Sequence, residues 1–263
     1  MKRIIYILDD DRRSFAYERV KGFCRAVKNT ETPANLYIFR SNGFAGYDKA
    51  HNCGEYNIYR LPDFNDFDGI ILDINNSHNT AENIYGDIGA SYVMRAAAAS
   101  GKPVISIGNN IEGFYYIGID NYSAMTSVIT YLHEELGLND FWFLMGPVDN
   151  YENRIRTKAL REYCEEHGIP CETSRFYFES FDMESGINGF KRLYSLYNGK
   201  LPQVLICAND PIASGAVRTA GDMGIRIPKD LFVTGFDNQD ISKYITPSVT
   251  TVEQNRHAMG EEG

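Results

Sequence analysis

Long apolar runs are absent from this 263-residue sequence. No run approaches the ~18 residues of a membrane-spanning helix, and the apolar stretch near the N-terminus, Ile4–Leu8, is too short for the core of a secretory signal. Basic residues are also scarce, because 26 Lys and Arg stand against 35 Asp and Glu, for a formal net charge of −9. Since phosphate contacts dominate nucleic-acid affinity, this charge argues against direct nucleic-acid binding by this chain. We expect a cytoplasmic protein with no membrane partner.

The motifs of metal binding and of common catalytic chemistry are missing as well. The five cysteines are odd in number and include no C-x-x-C pair, which argues against a metal knuckle and favours reduced thiols. The patterns G-x-G-x-x-G, G-x-x-x-x-G-K-[ST], H-E-x-x-H and G-x-S-x-G do not occur. We therefore predict that the chain is not an enzyme and has no catalytic residue, no metal and no cofactor.

Short apolar runs alternate with segments of helical periodicity along the chain. The apolar runs predict strands at Ile4–Leu8, Leu36–Phe39, Asp68–Asp73, Pro103–Ile107, Tyr116–Ile119, Phe141–Met145, Phe176–Phe178, Val204–Ala208, Leu231–Phe236 and Val249–Val252. Apolar strands that alternate with helices are typical of parallel sheets covered on both faces. Because about ten strands are many for one such sheet, we predict an α/β fold of two Rossmann-like lobes. Residues 1–119 and 247–263 would form the first lobe, and residues 120–246 the second.

Carboxylates and amides follow the predicted strands in both halves, at the sheet edge where open α/β folds bind ligands. Each has a structural explanation too: Asp210 precedes Pro211 and is a natural helix N-cap, and Asp120 or Asn121 could cap the helix that begins there. That explanation does not predict so many such groups at strand ends in both halves. The pattern therefore favours a site for sugar hydroxyls or nucleobase edges.

Several motifs resemble one family, the lactose/galactose-repressor (LacI/GalR) effector domains. The family's N-D-x-x-A-x-G, G-x-x-[IV]-P-x-D, G-[FY]-D, P-x-L-T-T-V-x-Q and M-G patterns resemble, in turn, Asn209–Gly215, Gly224–Asp230, Gly235–Asp237, Pro247–Gln254 and Met259–Gly260. Upstream, Asp68–Ile71 matches D-G-[IL]-[IL]. The resemblance spans most of the chain and implies a two-lobed, periplasmic-binding-protein-like type I fold.

The sequence also departs from the family pattern. The family's R-x-x-G-[FY] helix reads Arg156-Thr157-Lys158-Ala159-Leu160, which leaves Arg154 as an alternative arginine, and Gly43–Leu61 matches no family motif. The resemblance implies a helix-turn-helix and a hinge ahead of the first strand, and here Met1 lies close to that strand. We expect the output module to lie outside this sequence, as a DNA-binding domain or as a signalling domain beyond Gly263.

The resemblance implies a homodimeric sensor that closes on a small-molecule effector, either sugar or nucleobase-like, and thereby controls an attached output module. Carried over position by position, the ligand-binding residues are Arg156, Asp237, Asn209, Asp10, Ser14, Phe15 and Asp120. Arg156 and Asp237 are expected to face each other across the cleft and to grip a polyol by charge-assisted hydrogen bonds. The alternative function is a solute-binding protein that delivers a sugar to a transporter.

Overall fold

The computed structural model describes residues 1–8, 14–41, 49–74 and 90–263. The chain divides into two units, the first made of residues 1–119 and 255–263 and the second of residues 120–254. Among the residues described, no helix is long and apolar enough to cross a membrane.

A five-stranded parallel sheet forms the centre of the first unit. Its strands are β1 (Lys2–Leu8), β2 (Ala34–Arg40), β3 (Gly69–Asp73), β4 (Val104–Ile107) and β5 (Tyr115–Ile117), in the order β2-β1-β3-β4-β5. Ile5 and Ile7 pack into one core, and Tyr6 and Leu8 into the core on the opposite face. Because successive strand residues point to opposite faces, a strand covered on both sides is apolar throughout.

The helices described in the first unit's first 119 residues are α1 (Ser14–Asn29), α2 (Lys49–Tyr56) and α3 (Ala90–Ala99). Helix α2 and the 3₁₀ turn that follows it were not predicted. They occupy the segment that matched no family motif. Tyr59 in that turn is fully buried, and its hydroxyl donates to the backbone O of Leu8 at 2.8 Å. Tyr56 and Tyr59 therefore contribute to the core beside β1.

The second unit has a four-stranded parallel sheet. Its strands are β6 (Phe141–Met145), β7 (Phe176–Phe178), β8 (Val204–Cys207) and β9 (Phe232–Thr234), in the order β7-β6-β8-β9. Four helices accompany them, namely α4 (Asn121–Thr130, continued by a π-helical turn, Tyr131–Glu135), α5 (Tyr151–Glu166), α6 (Met183–Leu196) and α7 (Asp210–Asp222). Every residue of β6 and β8 is buried, as expected for strands in a parallel sheet that is covered on both faces. The predicted α/β class with parallel sheets is confirmed.

The segment that contains Val249–Val252 differs from its prediction. It forms no strand in the described structure, only isolated bridges that pair Thr234 with Thr250 and Asp237 with Glu253. The backbone N of Gly235 donates to the O of Thr250 at 2.8 Å. These hydrogen bonds tie the segment to the end of β9, and so the structure groups residues 247–254 with the second unit, whereas the sequence placed them in the first lobe.

The chain ends in helix α8 (Arg256–Glu262), which packs on α1 in the first unit. Two glycines allow a close approach of the two backbones. A Cβ atom added at Gly22 would lie 2.0 Å from the O of His257, and one at Gly260 would lie 1.9 Å from the O of Arg19. Any side chain at either position would force the helices apart.

Candidate functional site

A buried arginine lies at the carboxyl ends of the second unit's strands. Arg156 on α5 is only 2% exposed. Its Nε donates to Oδ1 of Asn121 at 2.7 Å, and its Nη1 donates at 2.7 Å to the O of Ala208, the residue after β8. Its guanidinium carbon lies 3.9 Å from the centroid of the Phe236 ring. Because a guanidinium is planar and its N–H directions are fixed, these contacts hold it in one orientation.

An aspartate that follows β9 completes the surroundings of this arginine. Oδ1 of Asp237 lies 3.4 Å from Nη2 of Arg156 and also accepts from Nε2 of Gln254. Its Oδ2 accepts from Nε2 of Gln239 at 3.0 Å. The backbone φ of Asp237 is 98°, a region that residues other than glycine rarely adopt. Such strain persists only where the surrounding contacts impose it, and it is concentrated at functional sites.

A second carboxylate and an amide oxygen also lie among the polar side chains around Arg156. Oε2 of Glu152, one turn earlier on α5, lies 3.9 Å from Nη2 of Arg156. Gln254 is 1% exposed, and its Oε1 has no hydrogen-bond partner among the described residues. We call this set the Arg156 cluster; it comprises Asn121, Glu152, Arg156, Phe236, Asp237, Gln239 and Gln254. Charged groups and amides together suit a hydroxyl-rich or amide-bearing ligand.

The start of α5 is fixed by side chains that cap it. Oδ1 of Asn150 accepts from the N of Asn153 at 2.9 Å, and the side chain of Asn153 exchanges two hydrogen bonds with the backbone of Gly146, just after β6. Asn is among the favoured N-cap residues because its oxygen satisfies a free N–H of the first turn. These contacts set the position of α5 against the strand ends and so place Arg156 there.

Comparison with known proteins identifies the family. Residues 130–263, about half of the chain, match the family described as the periplasmic binding protein-like domain. Over 155 residues the chain is 29% identical to the HTH-type transcriptional repressor PurR of Escherichia coli, an alignment that covers 59% of this chain and 41% of the repressor. The chain is a LacI/GalR-type effector-binding domain of this family.

Solved structures agree with the fold of this LacI/GalR-type domain. A transcriptional regulator LacI from Bacillus cereus superposes with a TM-score of 0.77 at 20% identity, and the match covers 100% of this chain and 88% of that one. The regulator CelR in complex with cellobiose gives a TM-score of 0.76 at 18% identity, over 100% of this chain and 75% of that one. The alignments to curated PurR repressors span about two-fifths of the length of those relatives.

The structure distinguishes the two arginines that the LacI/GalR motif left open. Arg154 is exposed, whereas Arg156 is buried in the cluster. Arg156 and Asp237 are brought together as the resemblance implied, although the predicted arrangement is wrong. Both residues belong to the second unit, the lobe in which the sequence also placed them, and they contact each other directly, so they do not face each other across a cleft. The reason is that α5 and the end of β9 meet at the edge of the same sheet.

Two other predicted ligand residues of the LacI/GalR-type domain serve as helix caps. Oδ1 of Asn209 accepts from the N of Ile212 at 2.9 Å, and its Nδ2 donates to the O of Phe181 at 3.0 Å. Asn209, not Asp210, is thus the N-cap of α7, and the predicted capping role of Asp210 is wrong. Oδ1 of Asp120 accepts from the N of Ser123 at 2.9 Å and caps α4, as its structural explanation predicted.

The carboxylate of Asp210 stabilises the loops around the Arg156 cluster instead of capping its helix. Its Oδ2 accepts from the N of Gln239 at 2.6 Å, and its Oδ1 accepts from the hydroxyl of Thr251 at 2.6 Å. Asp210 is fully buried. It therefore joins the chain after β9 to the segment that carries Gln254.

The predicted ligand residues of the first lobe lie outside what the structure describes. Asp10 is not among the described residues, and Ser14 and Phe15 begin α1 with side chains that are not described. Their ligand roles stay predictions. Among the residues described, no group of three or more His, Cys, Asp or Glu side chains is placed to hold a metal ion.

Several members of the cluster were not predicted from the sequence. Asn121, Gln239 and Glu152 belong to no family motif. Only the fold brings Asn121 to Arg156, whereas Glu152 lies one helical turn before Arg156 and Gln239 lies two residues after Asp237. Two other members are positions of family motifs: Gln254 ends P-x-L-T-T-V-x-Q, and Phe236 precedes Asp237 in G-[FY]-D. A motif position, or a place close in sequence to Arg156 or Asp237, was thus the indication available for the members other than Asn121.

Asp237 gives the LacI/GalR-type domain a pH-dependent stability. Burial raises the pKa of Asp237 from 3.8 to about 6, although the charge of Arg156 lowers it. Between these two values the folded chain binds the proton and the unfolded chain has released it. The contribution of Asp237 to the unfolding free energy therefore falls as the pH rises through this window and is constant above it. A shift of this size corresponds to a few kcal/mol.

The matched variant for this prediction is Asp237→Asn, which cannot titrate. We expect the unfolding free energy of the wild type minus that of the variant to decrease between about pH 4 and pH 6, the window that the two pKa values define. Denaturant titrations at a series of pH values measure this difference. A difference that is constant across the window, or that increases, would contradict the assignment.

Proposed function

We propose that this domain is the effector-sensing part of a transcriptional regulator, and that it binds a small polar molecule through the Arg156 cluster. The observation that carries the proposal is the buried Arg156–Asp237 contact beside the ring of Phe236, 3.4 Å between Nη2 and Oδ1. Both charges lie where the parallel strands end, the usual ligand position in open α/β sheets.

The chemistry of the cluster supports a neutral, hydroxyl-bearing ligand. Arg156 offers N–H donors, the carboxylates of Asp237 and Glu152 accept hydrogen bonds, and the buried ring of Phe236 supports the guanidinium. A sugar hydroxyl can donate to a carboxylate and accept from a guanidinium at once, so it can be inserted into such a pair without leaving a charge unpaired. We infer a sugar as the ligand class, in line with the cellobiose bound by the relative CelR.

The proposal includes an output. Ligand binding shifts the domain between two conformations, and it can do so only by contacting them with different affinity. In this proposal the domain acts as a homodimer. A DNA-binding or signalling module attached to it responds to the shift between the two conformations. The named relatives PurR and CelR are transcriptional regulators, and this supports transcription as the regulated process.

A thermal-shift screen tests the ligand class. The compounds are mono- and disaccharides, with sugar phosphates, nucleosides and amino acids beside them. A ligand present at one hundred times its dissociation constant stabilises the folded state by about 2.7 kcal/mol. For a chain of this size we expect a rise in melting temperature of about 5–10 °C for at least one sugar.

Variants of the cluster show whether the ligand binds there. The ligand-induced shift, measured against each variant's own melting temperature, should be lost in Arg156→Ala and in Asp237→Ala. It should persist in Arg154→Ala, because Arg154 is an exposed arginine of the same helix. A shift retained by both cluster variants would place the ligand elsewhere. The absence of any sugar-dependent shift would overturn the proposed ligand class.

A further inference from the structure

A cavity lies on the side of α5 that faces away from the Arg156 cluster. It has a volume of about 460 Å³ and belongs entirely to the second unit. Volumes of this size are typical of small-molecule sites. Its wall on α5 carries three cations, Arg154, Lys158 and Arg161. These positions are spaced by four and three residues, so they line one face of the helix.

Two of these cations have no counter-ion among the residues that the structure describes. Within the described part of the chain neither Arg154 nor Arg161 is in an ion pair. Arg154 is exposed, and the guanidinium carbon of Arg161 lies 4.0 Å from the centroid of the Phe176 ring. A guanidinium stacked on a ring keeps its N–H edges available to a further acceptor. The two arginines are two helical turns apart, about 10 Å along the axis.

The acidic residues at this cavity do not neutralise it. Glu162 lies 3.8 Å from the Nζ of Lys158 and also accepts from the hydroxyl of Tyr122 at 2.9 Å, so its charge is already shared. Glu165 is the other carboxylate of the lining. Three cations against two carboxylates leave the wall with a net positive charge, in a protein whose formal net charge is −9. A local excess of this sign selects anions.

The remaining lining is apolar apart from a buried hydroxyl and the capping amide of Asn153. Val148 is 59% exposed and Phe178 is half-buried, and together they offer an apolar surface. Thr157 is 9% exposed, and its Oγ1 has no hydrogen-bond partner among the described residues. Because this oxygen is itself buried, the lining offers a ligand mainly the apolar surface of Val148 and Phe178.

We propose that this cavity is a second ligand site, which binds a small organic anion carrying a phosphate or carboxylate group. Arg154 and Arg161 hold the anionic group or groups by charge-assisted hydrogen bonds. The apolar part of the molecule packs on Val148 and Phe178. Because α5 also carries Arg156, the same helix lines both this site and the proposed effector site.

Titration of the ¹⁵N-labelled full chain tests this site directly. The probes are glucose 6-phosphate, AMP and citrate, with glucose and adenosine as uncharged counterparts. We expect at least one anion to give saturable shifts of the backbone amides of Val148 and Phe178 at millimolar concentration. Its uncharged counterpart should leave these amides unchanged, and added NaCl should weaken the binding.

Charge-reversal variants supply the matched comparison. Arg154→Glu should weaken the anion about tenfold, the equivalent of about 1.4 kcal/mol. Arg218→Glu makes the same change at an exposed arginine of α7 outside the cavity and should leave the affinity unchanged. Both positions are exposed, so both variants should fold. The shifts should persist in Asp237→Asn, and this separates the site from the proposed effector site.

Four results would overturn the proposal. The first is an uncharged counterpart that shifts the amides of Val148 and Phe178 as much as its anion does. The second and third are an anion affinity that is unchanged in Arg154→Glu, or that falls as much in Arg218→Glu as in Arg154→Glu. The fourth is the absence of a saturable shift with any of the three anions.

Discussion

Arg156→Met is expected to lower the unfolding free energy of the second unit by about 3–5 kcal/mol. Methionine has a similar length but no donor. The substitution leaves the carboxylate of Asp237 buried without its cation and removes the donors to Asn121 and to the O of Ala208. A buried charge and two buried acceptors without partners are costly for the same reason, namely that they lose water and gain nothing in return.

The chain itself supplies the probe and the control for this experiment. Trp142 is the single tryptophan of the sequence and lies buried in β6, so its fluorescence reports on the second unit. Arg154→Met makes the same chemical change two residues earlier, at an exposed position, and should change the unfolding free energy by no more than about 0.5 kcal/mol. Equal effects of the two substitutions would show that Arg156 does not stabilise this unit.

Gly215→Ala and Gly221→Ala are expected to change stability in opposite directions, although both lie in α7. A Cβ atom at Gly215 would lie 2.0 Å from the backbone O of Met183 in α6, and one at Gly186 would lie 2.0 Å from the O of Ile212. The backbones of α6 and α7 are thus in contact through these glycines. Since a carbonyl oxygen of a helix cannot move alone, Gly215→Ala should destabilise the unit by about 3 kcal/mol.

Gly221 provides the comparison for Gly215. It is exposed, and a Cβ atom there meets nothing within 4 Å. Gly221→Ala should therefore stabilise the unit by about 0.5–1 kcal/mol, because alanine restricts the unfolded chain and favours the helix. Denaturant unfolding followed by Trp142 fluorescence measures both variants. A stabilising Gly215→Ala would mean that α6 and α7 are not in backbone contact.

The sequence by itself predicted the elements and their class. Apolar runs of four or five residues, such as Phe141–Met145 and Val204–Cys207, lie in the structure as fully buried parallel strands. Such strands can be predicted because a strand that is covered on both faces needs an apolar side chain at every position, and this pattern is visible in the local sequence. The family motifs likewise placed Arg156 and Asp237 in one site.

Other features were fixed only by the tertiary structure. The hydrogen bond between Arg156 and Asp237 joins residues 81 positions apart, and its partners Asn121 and Gln254 come from two further segments. Local pattern cannot choose between Asn209 and Asp210 as a cap, since both are good caps, and the choice depended on Thr251 and Gln239 binding the carboxylate of Asp210.

The same distinction explains the segment 247–254. The sequence predicted a short strand at Val249–Val252 and a return of the tail of the chain to the first lobe. The backbone of this segment instead pairs with residues just after β9, where Gly235 and Asp237 donate to Thr250 and Val252. The preference of a segment for helix or strand depends on residues close to it along the chain. Pairing, caps and buried charges are decided by whichever groups the fold brings together, because a buried polar atom takes its partner in space and not in sequence.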